Sequence, residues 1–198
     1  MGVTLILTRN PLRTFKHGRL SGRWGQLIAV KGPKIKAVGL SPGVGLSSGN
    51  GVSGGGSIAI DTGVLELDME GGAVTDVKKY TSMERFRTND GKSYYVQLHP
   101  KLAPYWITYE TGNSAVRELR RGHDGRCFRV HGGKGPERGI LIHEAPHVGW
   151  LIGCISPRPL HNYRVEFPND PTNPSYVSMN ELFHFVGHKQ ADLFVLDW

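Results

Sequence analysis

The chain of 198 residues is poor in cysteine, with Cys127 and Cys154 its only two. Two thiols make neither a disulfide framework nor a four-thiolate zinc site. Long hydrophobic runs are missing too: nothing approaches the ~20 apolar residues of a membrane-spanning helix. The N-terminal apolar run Val3–Leu7 is too short for a leader, and no basic segment precedes it. Ile6 stands where a myristoylation signal needs Ser or Thr. The expectation is synthesis in the cytoplasm without a signal peptide, and no membrane span. There are no internal repeats. No basic run with interleaved aromatics tracks single strands, so a nucleic-acid partner is not expected.

What is present favours strands. Glycine is abundant at 27 residues and proline moderate at 12, with seven Phe, seven Tyr and four Trp for a core. That balance suits short strands joined by turns. The fold class expected is mainly β, a twisted antiparallel sheet or barrel-like sandwich with one or two short helices. Net charge is +7 and the pI about 9.5, so anionic partners are attracted. The densest cluster, Arg117, Arg120, Arg121, Arg126 and Arg129, is interrupted by Glu118 and Asp124 and reads as a solvated basic face.

Residues 40–57 are a Gly/Ser-rich loop or linker. Within it Gly49-x-Gly51-x-x-Gly54 matches a dinucleotide fingerprint in letters only, since no strand leads in and no helix follows. The stretch divides the chain into N-terminal strands (1–39), expected to pack on the body, and a catalytic β domain (58–198). N-terminal strands are expected at Val3–Leu7 and Gln26–Val30. In the body they are expected at Ser57–Ile60, Val64–Met69, Arg85–Thr88, Ser93–His99, Trp106–Tyr109, Cys127–His131, Gly139–His143 and Trp150–Ile155. Asn89-Asp90-Gly91 predicts a hairpin turn. Helices are expected over Asn113–Arg121 and from a capping box at Ser178-Met179-Asn180-Glu181, with a last strand over Asp192–Trp198.

His131, His143, His147 and Cys154 fall within 24 residues, the densest set of nucleophile and base candidates. A thiolate is a strong nucleophile, but an ordinary thiol is mostly protonated at neutral pH. An adjacent imidazole takes the proton and pairs with the thiolate. Gly139–His143 reads as an apolar strand ending in His, and 11 residues on, Gly153-Cys154 ends the next segment. That spacing lets the chain turn back so that His143 and Cys154 become neighbours. Gly153 allows close approach of a substrate backbone, and the amides around Cys154 offer an oxyanion site. The competing reading makes Cys154 a buried apolar residue among Trp150, Leu151, Ile152 and Ile155.

His143-Glu144-Ala145-Pro146-His147 also matches the H-E-x-x-H zinc motif, with His143 and His147 as ligands. That chemistry needs a helix, and Pro146 inside one costs ~3 kcal/mol. Metal ligands and cofactors are therefore not expected, and a zinc hydrolase is the weaker alternative. His131, His147 and Arg158 are candidates for substrate binding, Arg158 through bidentate contact with a carboxylate. His184 and His188 stand at helical spacing without an acidic or thiol partner and read as exposed helix histidines.

Ile-Leu-Ile-His143 followed by Gly153-Cys154-Ile155 resembles the core of L,D-transpeptidase-like cysteine enzymes, especially small phage and type VI secretion toxin relatives. The likeness covers about residues 126–158. It implies an all-β scaffold, Cys154 as nucleophile, His143 as base and Gly153 at the oxyanion site. It further implies acyl transfer on peptidoglycan stem peptides, of carboxypeptidase or transpeptidase outcome. An antibacterial toxin acting in the periplasm of a target cell, with an immunity protein as partner, follows the same resemblance. The larger enzymes carry Ser-His-Gly before the Cys and Arg two residues after it, where this chain has Leu151-Ile152-Gly153 and Ser156. A non-enzymatic phage or wall-binding β module is the remaining alternative.

Overall fold

A computed structural model describes residues 1–41, 55–61, 63–88, 98–118, 124–133, 139–164 and 173–197. The protein is mainly β. Eleven strands are described: β1 (Gly2–His17), β2 (Leu20–Gly32), β3 (Ile35–Ser41), β4 (Gly55–Ile60), β5 (Gly63–Met69), β6 (Asp76–Thr88), β7 (Tyr105–Glu110), β8 (Cys127–Gly132), β9 (Leu141–Ile142), β10 (Ile155–Pro159) and β11 (Ala191–Asp197). Two helices join them, α1 (Ser114–Arg117) and α2 (Pro174–Val186). Eight strands close a barrel in the order β1-β11-β7-β8-β9-β10-β6-β2, and β3-β5-β4 form a second sheet. Two neighbours run parallel, β1 with β11 and β9 with β10. The other barrel pairs are antiparallel.

The period-2 alternation of strand side chains sorts the apolar residues into three cores. Leu5, Leu7, Leu27, Phe128, Ile142 and Ile155 point inward, and α2 adds Met179, Leu182 and Phe185 to this interior cluster. Ile6, Ile28 and Val30, on the opposite face, are covered by Ile58, Leu65 and Leu67 of the second sheet. A third cluster lies outside β2, β6, β8, β9 and β10 and is covered by Ala145, Val148 and Leu151. It contains both cysteines.

The interior also holds ions. Arg9, 1% exposed, donates to both carboxylate oxygens of Glu84 at 2.8 and 2.9 Å and to Asp197 at 3.3 Å. It also donates to the Leu98 carbonyl. One guanidinium thereby ties the first and last strands of the barrel to β6. Gly25 is required at a close approach, since a Cβ there would sit 2.1 Å from the Thr8 carbonyl oxygen.

Several expected elements differ. Residues 1–39 supply β1 and β2 to the barrel, where β1 pairs with β11 and β2 with β6 of the body, and β3 to the second sheet. The expected strand Trp150–Ile155 is a turn. Val148–Trp150 form one turn of 3-10 helix, Gly153 takes φ 77°, and β10 starts only at Ile155. β9 is shorter than Gly139–His143 and β6 is longer than Arg85–Thr88. α2 starts before Ser178, because Asn173 caps it by accepting from Ser175 N and Pro174 fills the first helical position. The Asn89-Asp90-Gly91 hairpin, most of Ser93–His99, Arg120, Arg121, Trp198 and most of the Gly/Ser stretch lie outside the described residues.

Candidate functional site

Register decides which candidates can meet. β9 and β10 are parallel neighbours with Ile142 beside Ile155, and the His143 amide donates to the Ile155 carbonyl at 3.0 Å. Ile142 and Ile155 both belong to the interior core, so alternation turns His143 and Cys154 together to the outer face. Each lies one residue outside its strand, His143 after β9 and Cys154 before β10, and continuing the register sets them one diagonal step apart. With strands about 4.8 Å apart and about 3.3 Å of rise per residue, their α-carbons lie roughly 8 Å from each other.

The tautomer of His143 follows from its partner. Nδ1 lies 2.6 Å from the Glu144 carbonyl oxygen, which can only accept. Nδ1 therefore carries the proton, and Nε2 is the basic nitrogen. His143 is 4% exposed and Cys154 7%. Burial pushes the Cys154 thiol up, and a backbone hydrogen bond at Leu141 opposes the rise. Sγ–H donates to the Ile152 carbonyl at 3.8 Å. The cysteine is thus held as a thiol beneath the 144–151 loop, in one apolar cluster with Ala145, Val148 and Leu151. Gly153, buried at φ 77°, turns the chain into Cys154 in a conformation open to glycine.

Arg158 does a different job from the one its sequence position suggests. It is fully buried, with Nη1 donating to the Arg164 carbonyl at 2.8 Å. Nη2 donates to the carbonyls of Ala145 at 3.1 Å and Pro146 at 2.9 Å. The guanidinium also lies 5.9 Å from the centre of the Trp24 ring. A substrate carboxylate would have to displace these carbonyls, so in this arrangement Arg158 holds the loop over the thiol. Burial lowers its pKa to about 10, which leaves it protonated at neutral pH.

The other candidates separate. His147 Nδ1 accepts from Gly149 N at 3.1 Å, and the ring stacks on His17 at 4.9 Å between centroids. It belongs to the loop above the site. His131 stacks on Trp106 and lies 2.7 Å from the Thr108 hydroxyl, on the β7–β8 surface near the Arg129–Glu110 ion pair. His143 to His147 is extended chain and bend rather than helix, so the two histidines do not share a helical face. Among the described residues no group of three His, Cys, Asp or Glu gathers as a metal would require. His188 stacks on Tyr109 at 4.1 Å, beyond the end of α2. The basic cluster is partly neutralised, with Arg129 on Glu110 at 2.6 Å and Arg126 on Asp124 at 2.6 Å.

One residue escaped the sequence reading. Ser175, at the start of α2, bonds Ser156 Oγ at 2.6 Å and accepts from the Ala145 amide at 3.0 Å. It fastens the loop to β10 from the other side. Cys127 stands in the same apolar cluster as Cys154, but β9 lies between their strands. Two strand spacings are roughly 9.6 Å, beyond the ~7 Å limit for a disulfide. Burial is the main cause that pushes the Cys127 thiol up to about 12. Comparison with known protein families, characterised proteins and solved structures finds no match. No helix among the described residues is long and apolar enough to cross a membrane.

Proposed function

We propose that the chain is a cysteine-dependent acyl-transfer enzyme acting on peptidoglycan stem peptides. The observation that supports the reading is His143, whose Nδ1–H is fixed on the Glu144 carbonyl where the β9–β10 register runs on to Cys154. In the step proposed, Nε2 of His143 takes the thiol proton and Cys154 Sγ attacks an amide carbonyl carbon of the stem. The carbon–nitrogen bond breaks, the imidazolium returns its proton to the leaving D-amino acid, and a thioester remains on Cys154. Water resolves it in the carboxypeptidase outcome and an acceptor amine in the transpeptidase outcome, and the thiol reforms. Backbone amides around Gly153 and Cys154 are assigned to the developing oxyanion.

The substrate class comes from the resemblance of Ile-Leu-Ile-His143 and Gly153-Cys154-Ile155 to L,D-transpeptidase-like enzymes. The +7 charge suits an anionic wall. Delivery as an antibacterial toxin into a neighbouring periplasm, countered by an immunity protein, is the biological setting proposed with it. The low exposure of Cys154 favours a second reading, a wall-binding β module whose thiol is core. Mass analysis of muropeptides incubated with the protein separates the two. Trimmed or rejoined stems that vanish in Cys154→Ala and His143→Ala support the enzyme. Unchanged stems, with Cys154 inert to a thiol reagent, support the module.

A further inference from the structure

A pocket of about 620 Å³ opens where the second sheet meets the barrel. One wall carries Lys34, Lys36 and Glu70, and the other Pro104, Asp192 and Phe194. Its size falls within the range of about 300–1,000 Å³ typical of small-ligand sites. The backbone itself joins the first wall, since Glu70 N donates to the Lys34 carbonyl at 2.9 Å. Among the described residues, none of the four charged side chains makes an ion pair or a side-chain hydrogen bond. Two ammonium groups and two carboxylates thus ring an apolar cleft with their charges uncommitted.

We infer that this pocket is a second binding site, for a short zwitterionic peptide. Its free carboxylate would meet Lys34 and Lys36, its ammonium Asp192 and Glu70, and its apolar side chains Phe194 and Pro104. A ligand of one sign would face two like charges, whereas a zwitterion matches both pairs. Stem peptides with a free diamino-acid ammonium and a terminal carboxylate belong to this class. That choice of peptide rests on the proposed function, although the recognition chemistry does not.

The barrel order places the pocket with respect to the catalytic candidates. β11, which supplies Asp192, Leu193 and Phe194, stands four strands from β10 in a barrel of eight. The pocket therefore opens on the side opposite Cys154. A peptide held there leaves the loop over Cys154 free, which fits retention on the wall while another stem is processed.

The test uses the full chain carrying Cys154→Ala, so that nothing is turned over, titrated calorimetrically with a synthetic stem tetrapeptide. Lys34→Glu with Lys36→Glu should weaken binding at least tenfold. Asp192→Asn should weaken the free peptide and leave its ammonium-acetylated form unaffected. A peptide acetylated at its amines and amidated at its carboxylates should not bind. Equal affinity in parent and Lys34→Glu/Lys36→Glu, or equal binding of the fully capped peptide, overturns the inference. If the wild-type chain trims no stems while the charge variants still lose binding, the enzymatic reading falls and the pocket stands.

Discussion

Replacing Arg158 by Met should loosen the loop that covers Cys154 while leaving the barrel folded. Arg158 makes three hydrogen bonds to carbonyls, two of them in the loop at Ala145 and Pro146. Bonds from a charged donor contribute about 1.5–3 kcal/mol each, and the low end applies because one guanidinium shares them, giving about 5 kcal/mol. Against this stands the cost of keeping the charge dehydrated. The fall of its pKa from 12.5 to about 10 corresponds to about 3 kcal/mol at 1.36 kcal/mol per pH unit. Met removes that cost and keeps the apolar stem against Trp24, so the net loss is about 2 kcal/mol. Urea denaturation should show that loss with an unchanged slope. Alkylation of Cys154 by iodoacetamide under native conditions should accelerate at least tenfold, since local opening of the loop becomes easier by the same mechanism. An unchanged midpoint with unchanged alkylation would refute the loop-holding role.

Three further outcomes follow from the same geometry. Gly153→Ala forces a Cβ into φ 77°, at a cost of about 1–2 kcal/mol in denaturation, and a variant as stable as wild type contradicts it. Arg9→Met removes the cation facing buried Glu84 and should cost about 3–5 kcal/mol, and a loss below 1 kcal/mol refutes the buried pair. Both thiols are protonated below their raised pKa values, so alkylation increases as pH rises. Cys154 should react with a midpoint above the ordinary thiol value of about 8.5, while Cys127 stays unlabelled at pH 9, and prior labelling of Cys127 contradicts the assignment.

Alternation carries much of this fold in the sequence, as in Val64–Met69, where Leu65, Leu67 and Met69 are buried and Glu66 and Asp68 are exposed. It fails where the interior is polar. β6 was legible only at its end, because Thr81, Ser82, Glu84 and Arg85 are buried without being apolar, and Glu84 is paired with a residue 75 positions away. Trp150–Ile155 reads as a strand because it is apolar, yet Ile152 is 64% exposed and Gly153 bends the chain. The start of α2 was signalled by Asn173-Pro174, a cap and a first-turn proline, rather than by Ser178.

The sequence marks His143 and Cys154 by their spacing and gives no sign of what holds the loop over them. His143 follows β9 and Cys154 precedes β10, and the parallel pairing of Ile142 with Ile155 brings these strand ends side by side. The loop's own anchors were invisible. Arg158 looks like a ligand-binding arginine until its three carbonyl partners are placed, and Ser175 lies 21 residues beyond Cys154 with nothing local to mark it. The pocket near Lys34 and Asp192 joins residues from opposite ends of the chain, which no local pattern connects.

Trapping the acyl-enzyme tests the central assignment most directly. Wild-type protein mixed with a stem tetrapeptide, quenched in acid and digested, should yield a peptide containing Cys154 heavier by the stem acyl group without its last D-amino acid. The adduct should disappear with hydroxylamine and be missing from Cys154→Ala. Trimming that proceeds in Cys154→Ala, or an acyl adduct on any other residue, would contradict the account.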